Sequence, residues 1–358
     1  MKKIFYILAA AAVVAACSKS EVTDISTLQS EVDTPVNFLP SPITKAGYTE
    51  FSKTHVFKSA AYYLKKTKTW QENFAEGVNY IPESEVSYQT AVSPNVWRTV
   101  KPYYWPKDGG SLTFYSWSLN KNNLNFPAGS SATVTIDKEK GVLLKNFDIT
   151  KDTVDFIVAV PAEDRTVNVR TYYTDGVPTL FKHQLSKMKF TAVADEEYPG
   201  KTINIKEITI TGVASKAEYQ EADTDQDGNW VVVDRWTLDP VGDTHDSDVY
   251  DAGTGKGTEV TTSTVTFGGD QTIFIPQEFT GNETIIIKYE IVDEVSGITE
   301  EITVEIPLKK ALESTQGKED GEFEPGKEYT INFRFTLDLV FWDPAVQDWD
   351  DTPIDITE

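Results

Sequence analysis

Four aspartates within twelve residues form the pattern in this sequence that comes nearest to a metal site. Asp223, Asp225 and Asp227 alternate before Gly228, and Asp234 stands at the twelfth position. A helix-flanked calcium loop has oxygen ligands at alternate positions, a glycine at the sixth and a bidentate glutamate at the twelfth. Here an aspartate with a shorter reach replaces that glutamate, and the flanking residues have the pattern of strands. Two hypotheses follow, a Ca²⁺ site in a β-loop and an Asp-Gly hairpin turn without a cofactor.

The other candidates for chemistry have simpler structural explanations. The acidic stretch 243–251 could hold a metal, but a solvated loop accounts for its composition. His183 lies among apolar residues of a predicted strand, where a structural role is the simpler interpretation. Four aromatic residues could form a platform for a sugar ring, although packing in a core explains them more simply. These are Tyr103, Tyr104, Trp105 and Trp117.

No arrangement of residues is typical of an enzyme. Glu300 and Glu301 are neighbours in a strand, so their side chains point to opposite faces and cannot flank one glycosidic bond. The sequence has no G-x-S-x-G, H-E-x-x-H or phosphate-loop motif. Its three histidines leave little material for acid–base chemistry. We therefore predict that the protein is not an enzyme.

The N-terminus resembles the export signal of a bacterial lipoprotein. Lys2 and Lys3 precede an apolar run, 4–16, that is too short to span a membrane and has the length of a signal-peptide core. The run ends in small residues before Cys17, the only cysteine in the chain. We expect residues 1–16 to be removed and Cys17 to carry a lipid into the outer membrane. An ordinary signal peptide with an incidental cysteine is the alternative.

Composition limits the size, class and partners of the protein. With 358 residues, of which 39% are hydrophobic, the chain can bury the cores of about two domains. Its 33 basic and 56 acidic residues give a net charge of −23. Such a charge repels a phosphate backbone, so nucleic acid is not an expected partner. A single cysteine excludes an internal disulfide and a cysteine-based zinc site.

Alternating apolar residues predict strands over most of the chain beyond residue 48. Residues 285–291 and 302–308 read as a hairpin, and 331–341 read as one half-buried strand of period two. Helical periodicity is nearly absent, and 239–263 reads as a long loop. We predict an all-β protein with two tandem β-sandwich domains, 48–178 and 179–358, the second with an acidic tail. Residues 17–47 are predicted to be a lipidated tether with a candidate plug strand.

Several short motifs follow the cysteine in a fixed order. They are 34–38, 43–46, 56–63, KPYYWP at 101–106, 110–115, 155–159, 181–187, 325–330 and FWDPAVQDW at 341–349. Together they span almost the whole chain after the signal, and in this order they resemble the fimbrillin family, the lipoprotein subunits of type V pili. The resemblance implies two transthyretin-like (Greek-key) sandwiches in a pilus subunit or fimbria-associated surface lipoprotein that acts in adhesion. The implied partners are other pilus subunits, and a receptor on a host or bacterial surface.

The resemblance also implies how the protein assembles. In this family a protease cuts after a basic residue near the N-terminus, and a strand of another subunit replaces the strand that is released. On this chain the plug would be 32–43 and the cut would follow Lys45. Its apolar members would be Val32, Val36, Phe38 and Ile43. Three prolines interrupt it, which predicts an edge position for the strand.

The chain departs from the family pattern at the processing position. The usual processing residue is arginine, and the first arginine of this chain is Arg98. Either the host protease accepts lysine, or the protein keeps its lipid and its plug and acts as an anchor or accessory subunit. The first alternative to a fimbrial protein is a glycan-binding surface lipoprotein of a nutrient-uptake system, and the second is a secreted hydrolase.

Overall fold

The computed structural model describes residues 34–44, 47–48, 51–91, 95–167, 176–239, 244–316, 321–337 and 339–349. Within these ranges the chain forms 24 strands, two α-helices and one 3₁₀-helix. The predicted all-β class is therefore confirmed. In the described ranges no helix is long and apolar enough to cross a membrane.

A ring of hydrogen-bonded strands forms most of the first half. Its members are β1 (Phe38–Thr44), β3 (Phe57–Leu64), β4 (Val78–Gln89), β5 (Val96–Thr99), β6 (Ser111–Ser118), β9 (Ile157–Ala159) and β11 (Val177–His183). Around the ring β6 is followed by β3, β4, β5, β1, β11 and β9, and β9 pairs again with β6. Two short strands are attached, β2 (Gly47–Tyr48) to β1 and β10 (Ala162–Arg165) to β6.

A second sheet packs against the outside of this ring. It consists of β7 (Thr133–Asp137), β8 (Gly141–Asp148), β14 (Lys216–Thr224) and β15 (Trp230–Leu238), in the order β15-β14-β8-β7. The predicted boundary after residue 178 does not separate the sheets, because the β14–β15 hairpin returns and pairs with β8. The reason is packing, since buried Tyr219, Ala222 and Trp230 of this hairpin join the core of the first half.

Strand β6 separates two apolar cores in the first half. Leu112 and Phe114 point into the ring, whereas Tyr115 and Trp117 point into the layer between ring and second sheet. Because alternate residues of a strand face opposite sides, a strand that is buried on both faces carries large apolar residues on each face, and in β6 the other four buried residues are serine or threonine. The short helix α1 (Trp70–Asn73) and the 3₁₀-helix Phe74–Glu76 follow β3 and add to the second of these cores.

The second half is a sandwich of two sheets. The strands of the first sheet are β12 (Ser186–Ala194), β18 (Val265–Phe274), β23 (Lys327–Phe335) and β24 (Val340–Asp348), in the order β18-β12-β23-β24. Those of the second are β13 (Lys201–Ala214), β16 (Thr244–Asp251), β17 (Thr258–Val260), β20 (Thr284–Asp293) and β21 (Thr299–Pro307). Their order is β16-β13-β20-β21, and β17 also pairs with β13.

Three smaller elements complete the second half. Strands β19 (Gln277–Glu278) and β22 (Glu322–Phe323) form a two-stranded ribbon. Helix α2 (Leu308–Gln316) follows β21 and buries Leu308, Ala311 and Leu312 in the core between the two sheets.

Two local predictions are wrong. The predicted single strand 331–341 is a hairpin of β23 and β24, because Thr336 and Leu339 close a turn through their backbones and the Thr336 hydroxyl. The stretch 239–263, which was expected to be a long loop, contributes β16 and β17. These two strands pair with β13 at the edge of its sheet. Polar residues are tolerated there because an edge strand need not be buried on both faces.

Candidate functional site

Strand β1 closes the ring in the first half. It pairs in parallel with β11 over five residue pairs, from Phe38–Val177 to Pro42–Phe181. On its other side it pairs with β5 at Phe38–Trp97. Without β1, both β5 and β11 would have an unpaired edge facing the gap. Unpaired strand edges bind further strands, so the ring contains a preformed position for one strand.

Most residues of this segment are buried, and Val36 and Phe38 belong to the core inside the ring. Val36 and Phe38 are 1% and 2% exposed, whereas Leu39 is 44% exposed. The Phe38 ring packs edge-on against Phe57 and Phe114, with centroid distances of 5.6 and 5.8 Å. Two of the four predicted plug residues therefore lie in the core inside the ring.

Gly176 allows β1 to lie against the start of β11. Its φ of +105° is one that residues with a Cβ rarely adopt. A Cβ at this position would lie 2.6 Å from the carbonyl carbon of Phe38, which is closer than atoms can approach without a shift. The backbone N–H of Val177, the next residue, donates to the Asn37 oxygen at 2.8 Å.

The prolines of β1 explain which of its sides is paired. Because Asn37 accepts from Val177, it and every second residue after it turn their backbone groups towards β11. Pro40 and Pro42 therefore face the β5 side, where they have no N–H to donate. The predicted edge position is wrong, since β1 has a strand on each side. The prolines nevertheless fit, because the pairing with β5 does not extend beyond Phe38.

The residues just before β1 form backbone hydrogen bonds with the segment 103–105. The Val36 N–H donates to the Tyr103 oxygen at 2.8 Å, and the Trp105 N–H donates to the Thr34 oxygen at 2.9 Å. The segment 34–44 therefore follows one continuous path through the fold.

The aromatic residues proposed as a sugar platform do not form one. Trp105 and Trp117 are buried in two different cores. Tyr104 is 41% exposed and Tyr103 is half-buried, so only part of the set reaches the surface. Core packing accounts for the two tryptophans, as the simpler interpretation predicted.

Several predicted site residues lie outside the described residues. These are Cys17, Val32 and Lys45, together with the signal peptide and the acidic tail beyond Trp349. Ile43 belongs to β1, but only its backbone is described. Both residues at the predicted cut, 45 and 46, lie outside the described residues, whereas Thr44 at the end of β1 pairs with Gly47 of β2.

The four aspartates of the calcium-loop pattern do not converge on one point. Asp225 caps the β14–β15 turn, where its carboxylate accepts from the N–H groups of Asp227 and Asn229 at 2.9 and 2.7 Å. Asp223 pairs with Arg235 at 2.8 Å, and Asp234 accepts from the Tyr219 hydroxyl at 2.6 Å. In the parts of the chain that the structure describes, no three His, Cys, Asp or Glu side chains could jointly hold a metal.

A cleft of about 1090 Å³ lies where the two halves meet. Its lining includes Trp236 of β15, Phe279 after β19, and Trp349 after β24. His183, at the end of β11, is hydrogen-bonded through Nδ1 to Asp155 at 2.9 Å. The His183 ring stacks on Trp349 with 4.1 Å between centroids. These contacts fit the structural role predicted for His183.

Sequence reasoning missed three residues that the structure makes prominent. Gly176 receives the backbone of β1, Trp349 after β24 packs in the core of the first half, and Glu221 is a buried acid. The first two lie in segments noted in the sequence for other reasons, Gly176 in a turn cluster and Trp349 in the last motif. For Glu221 the sequence offers a weak signal, an acidic residue between apolar Tyr219 and Ala222.

The family model described as fimbrillin-like matches residues 44–349, and the chain belongs to this family. The family is one of fimbrial structural and adhesion proteins of the cell surface, and the family resemblance predicted from the sequence is confirmed. A comparison with curated protein sequences gave no match.

One solved structure of a fimbrial protein is similar in fold, and two others match this chain over most of its length. A fimbrial protein from Bacteroides vulgatus is 13% identical with a TM-score of 0.53, and the alignment covers 89% of this chain and 100% of that one. The tip fimbrial protein Mfa3 from Porphyromonas gingivalis is 10% identical with a TM-score of 0.40, covering 89% and 100%. The fimbrial anchor protein Mfa2 from the same organism is 12% identical with a TM-score of 0.31, covering 89% and 98%.

Proposed function

We propose that this protein is a fimbrial subunit or fimbria-associated surface protein whose β1 holds the place of a strand from another subunit. One observation carries the proposal. A single segment close to the N-terminus closes the ring between β5 and β11, and it is followed directly by the Thr44–Gly47 hairpin. A cut in that connection would break the covalent link between β1 and the rest of the ring and would leave every other strand intact.

The contacts of β1 are of the kind that a replacement strand can reproduce. Backbone pairing with β11 gives affinity to any extended segment, and the inward side chains give selectivity. Burying Val36 and Phe38 contributes about 3–6 kcal/mol, at ~1.5–3 kcal/mol each, before the cost of ordering the strand. An incoming strand needs an aromatic residue at the Phe38 position, because that ring fills the space between Phe57 and Phe114.

Processing and anchoring complete the proposal. Lipidation at Cys17 would hold the precursor on the outer membrane, and cleavage after Lys45 would release both the lipid and β1. A protease that accepts lysine makes the protein a polymerising subunit. A protease that requires arginine leaves the lipid and β1 in place, and the protein is then an anchor or accessory subunit with its groove filled.

The test is controlled cleavage in the connection after β1. Residues 45–46 are replaced by the recognition site of a specific protease, and the cut protein is separated from β1 under mild denaturation. It is then mixed with a partner subunit from the same fimbria. We expect oligomers by light scattering from the cut protein and monomers from the uncut one. Cut protein that refolds without β1 but stays monomeric with its partner would contradict donor-strand assembly.

A second candidate function, glycan binding, rests on the cleft between the two halves. Its volume of about 1090 Å³ and the mixture of Trp236, Gln184 and carboxylates in its lining suit a neutral oligosaccharide. A glycan array probed with intact protein separates the two candidates. Glycan binding that is lost in Trp236→Ala would support the second candidate. If no glycan on the array is bound, only the fimbrial proposal remains.

A further inference from the structure

A small cavity lies between the ring and the sheet packed on it. It has a volume of about 20 Å³ and is lined by residues 158–161, Lys182, Gln184, Glu221, Val232 and Asp234. These residues come from the end of β9, the end of β11 and both strands of the β14–β15 hairpin. The cavity therefore touches the elements that hold the hairpin against the ring.

Glu221 brings a carboxyl group into this cavity with one oxygen unpaired. The residue is 1% exposed, and its Oε2 accepts from the Val142 N–H at 2.8 Å. Gly141 makes room for this bond, since a Cβ at that position would lie 2.5 Å from Oε2. Oε1 is buried and has no hydrogen-bond partner among the described residues.

Gln184 contributes a second oxygen without a partner. It is 2% exposed, and its Oε1 is likewise unpaired within the described chain. Its backbone is held on both sides, since its N–H donates to the Phe156 oxygen at 3.0 Å and its carbonyl accepts from Trp236 Nε1 at 2.8 Å. The backbone of Gln184 is therefore held in place beside the cavity.

Asp234 supplies the third polar group. It lies opposite the bulge at which the β14–β15 register shifts, with a φ of +43°. One carboxylate oxygen accepts from the Tyr219 hydroxyl at 2.6 Å, which fixes the side chain at the wall of the cavity.

We propose that this cavity holds one water molecule, bound to Glu221, Gln184 and Asp234. A cavity needs about 10–15 Å³ to hold a water, and such a water makes two to four hydrogen bonds. A water supplies what the cavity lacks, because it can donate to Gln184 Oε1 and to the Asp234 carboxylate and accept from Glu221. Burial, together with the nearby charge of Asp234, raises the pKa of Glu221 well above its ordinary value, against the hydrogen bond from the Val142 N–H and the charge of Lys182, which lower it. Glu221 therefore carries the proton that it donates.

This water links the hairpin to the strand that receives β1. Gln184 directly follows β11, whereas Glu221 and Asp234 belong to β14 and β15. A buried oxygen without a hydrogen-bond partner is unfavourable, and one bridging molecule satisfies two such groups together. The water thereby fixes the end of β11 against the second sheet.

The test is a crystal structure of the whole protein at a resolution that shows ordered water. We expect one peak within hydrogen-bonding distance of Glu221 Oε1 and Gln184 Oε1. The same peak should persist in Glu221→Gln, whose amide N–H still donates, and disappear in Gln184→Leu. An empty cavity, or a direct bond between the Glu221 and Gln184 side chains, would overturn the proposal.

Solution measurements provide a second readout. Oxygen-17 relaxation detects water that stays bound for long times, and the wild-type protein should show one more such molecule than Gln184→Leu. Glu218→Gln is the control, because Glu218 is an exposed residue of the same strand, and it should match the wild type. An equal number of long-lived waters in Gln184→Leu and the wild type would contradict the proposal, whether or not the variant is less stable.

Discussion

The two ends of the described chain form strands that occupy different positions in their sheets. Strand β1 has seven residues and lies between β5 and β11, and β24 has nine residues and lies at the end of its sheet. Phe38 of β1 is 2% exposed, whereas Phe341 of β24 is 44% exposed. The difference shows that the neighbours of a strand decide whether its aromatic residue becomes part of a core.

The largest expected effect comes from shortening the aromatic residue of β1. Phe38→Ala should cost about 3–5 kcal/mol of unfolding free energy, because it leaves a cavity between Phe57 and Phe114. Phe341→Ala in β24 is the matched control and should change stability by no more than about 0.5 kcal/mol. Urea unfolding followed by tryptophan fluorescence measures both. Equal losses in the two variants would remove the distinction between the strands.

A second variant acts on the strand that receives β1. Gly176→Ala should cost about 1–3 kcal/mol, because it strains the backbone at a positive φ and presses on the Phe38 carbonyl. Gly281→Ala is the control, since its φ is +95° but nothing lies within 4 Å of an added Cβ. The excess loss at Gly176 over Gly281, measured by the same unfolding experiment, reports the contact with β1. Equal losses would mean that the close approach has no energetic weight.

Individual residues show how much of the position of β1 could be predicted from the sequence. The family resemblance placed Val36 and Phe38 in a candidate plug strand, and both are buried. The prolines alone suggested an edge, because the sequence does not show that β11, about 140 residues away, supplies the second neighbour. Long-range pairing of this kind has no local signal. The same limit explains why the β14–β15 hairpin was assigned to the second half although it pairs with β8.

Acid should affect the attachment of β24 more than that of β1. Glu328 of β23 is buried, and although burial opposes it, the hydrogen bond from Lys189 and the charges of Lys187 and Lys189 lower its pKa. Gln347 of β24 donates to the same carboxylate at 3.0 Å. A lowered pKa means that Glu328 stabilises the fold above its ordinary pKa, about 4.3, and that this contribution is lost as the pH falls below it.

Thermal unfolding from neutral to acidic pH measures this effect. The melting temperature of the second half should fall in the wild type and fall less in Glu328→Gln, which cannot titrate. The contacts of β1 with the ring are apolar and backbone contacts, so the Phe38→Ala difference should stay constant over the same range. If the difference in melting temperature between the wild type and Phe38→Ala becomes smaller in acid, β1 is not held by apolar and backbone contacts alone.

The smallest expected effect concerns calcium. The aspartates at the β14–β15 turn are already occupied by Arg235, Tyr219 and backbone N–H groups. Calcium in excess over a chelator should therefore leave the melting temperature unchanged. A true site at 100-fold excess over its dissociation constant would add about 2.7 kcal/mol. A shift of that size would show that these side chains rearrange around a cation.

The most direct measurement is the binding of a labelled peptide, residues 34–44, to protein from which β1 has been cut and removed. Fluorescence anisotropy should show saturable binding of this peptide. The same peptide with Phe38→Ala should bind roughly 10²–10³-fold more weakly, from a loss of about 3–4 kcal/mol. A peptide of residues 340–348, from the edge strand, should not compete. Equal binding of all three peptides, or no binding to a ring that remains folded, would contradict the claim that β1 fills a selective, exchangeable strand position.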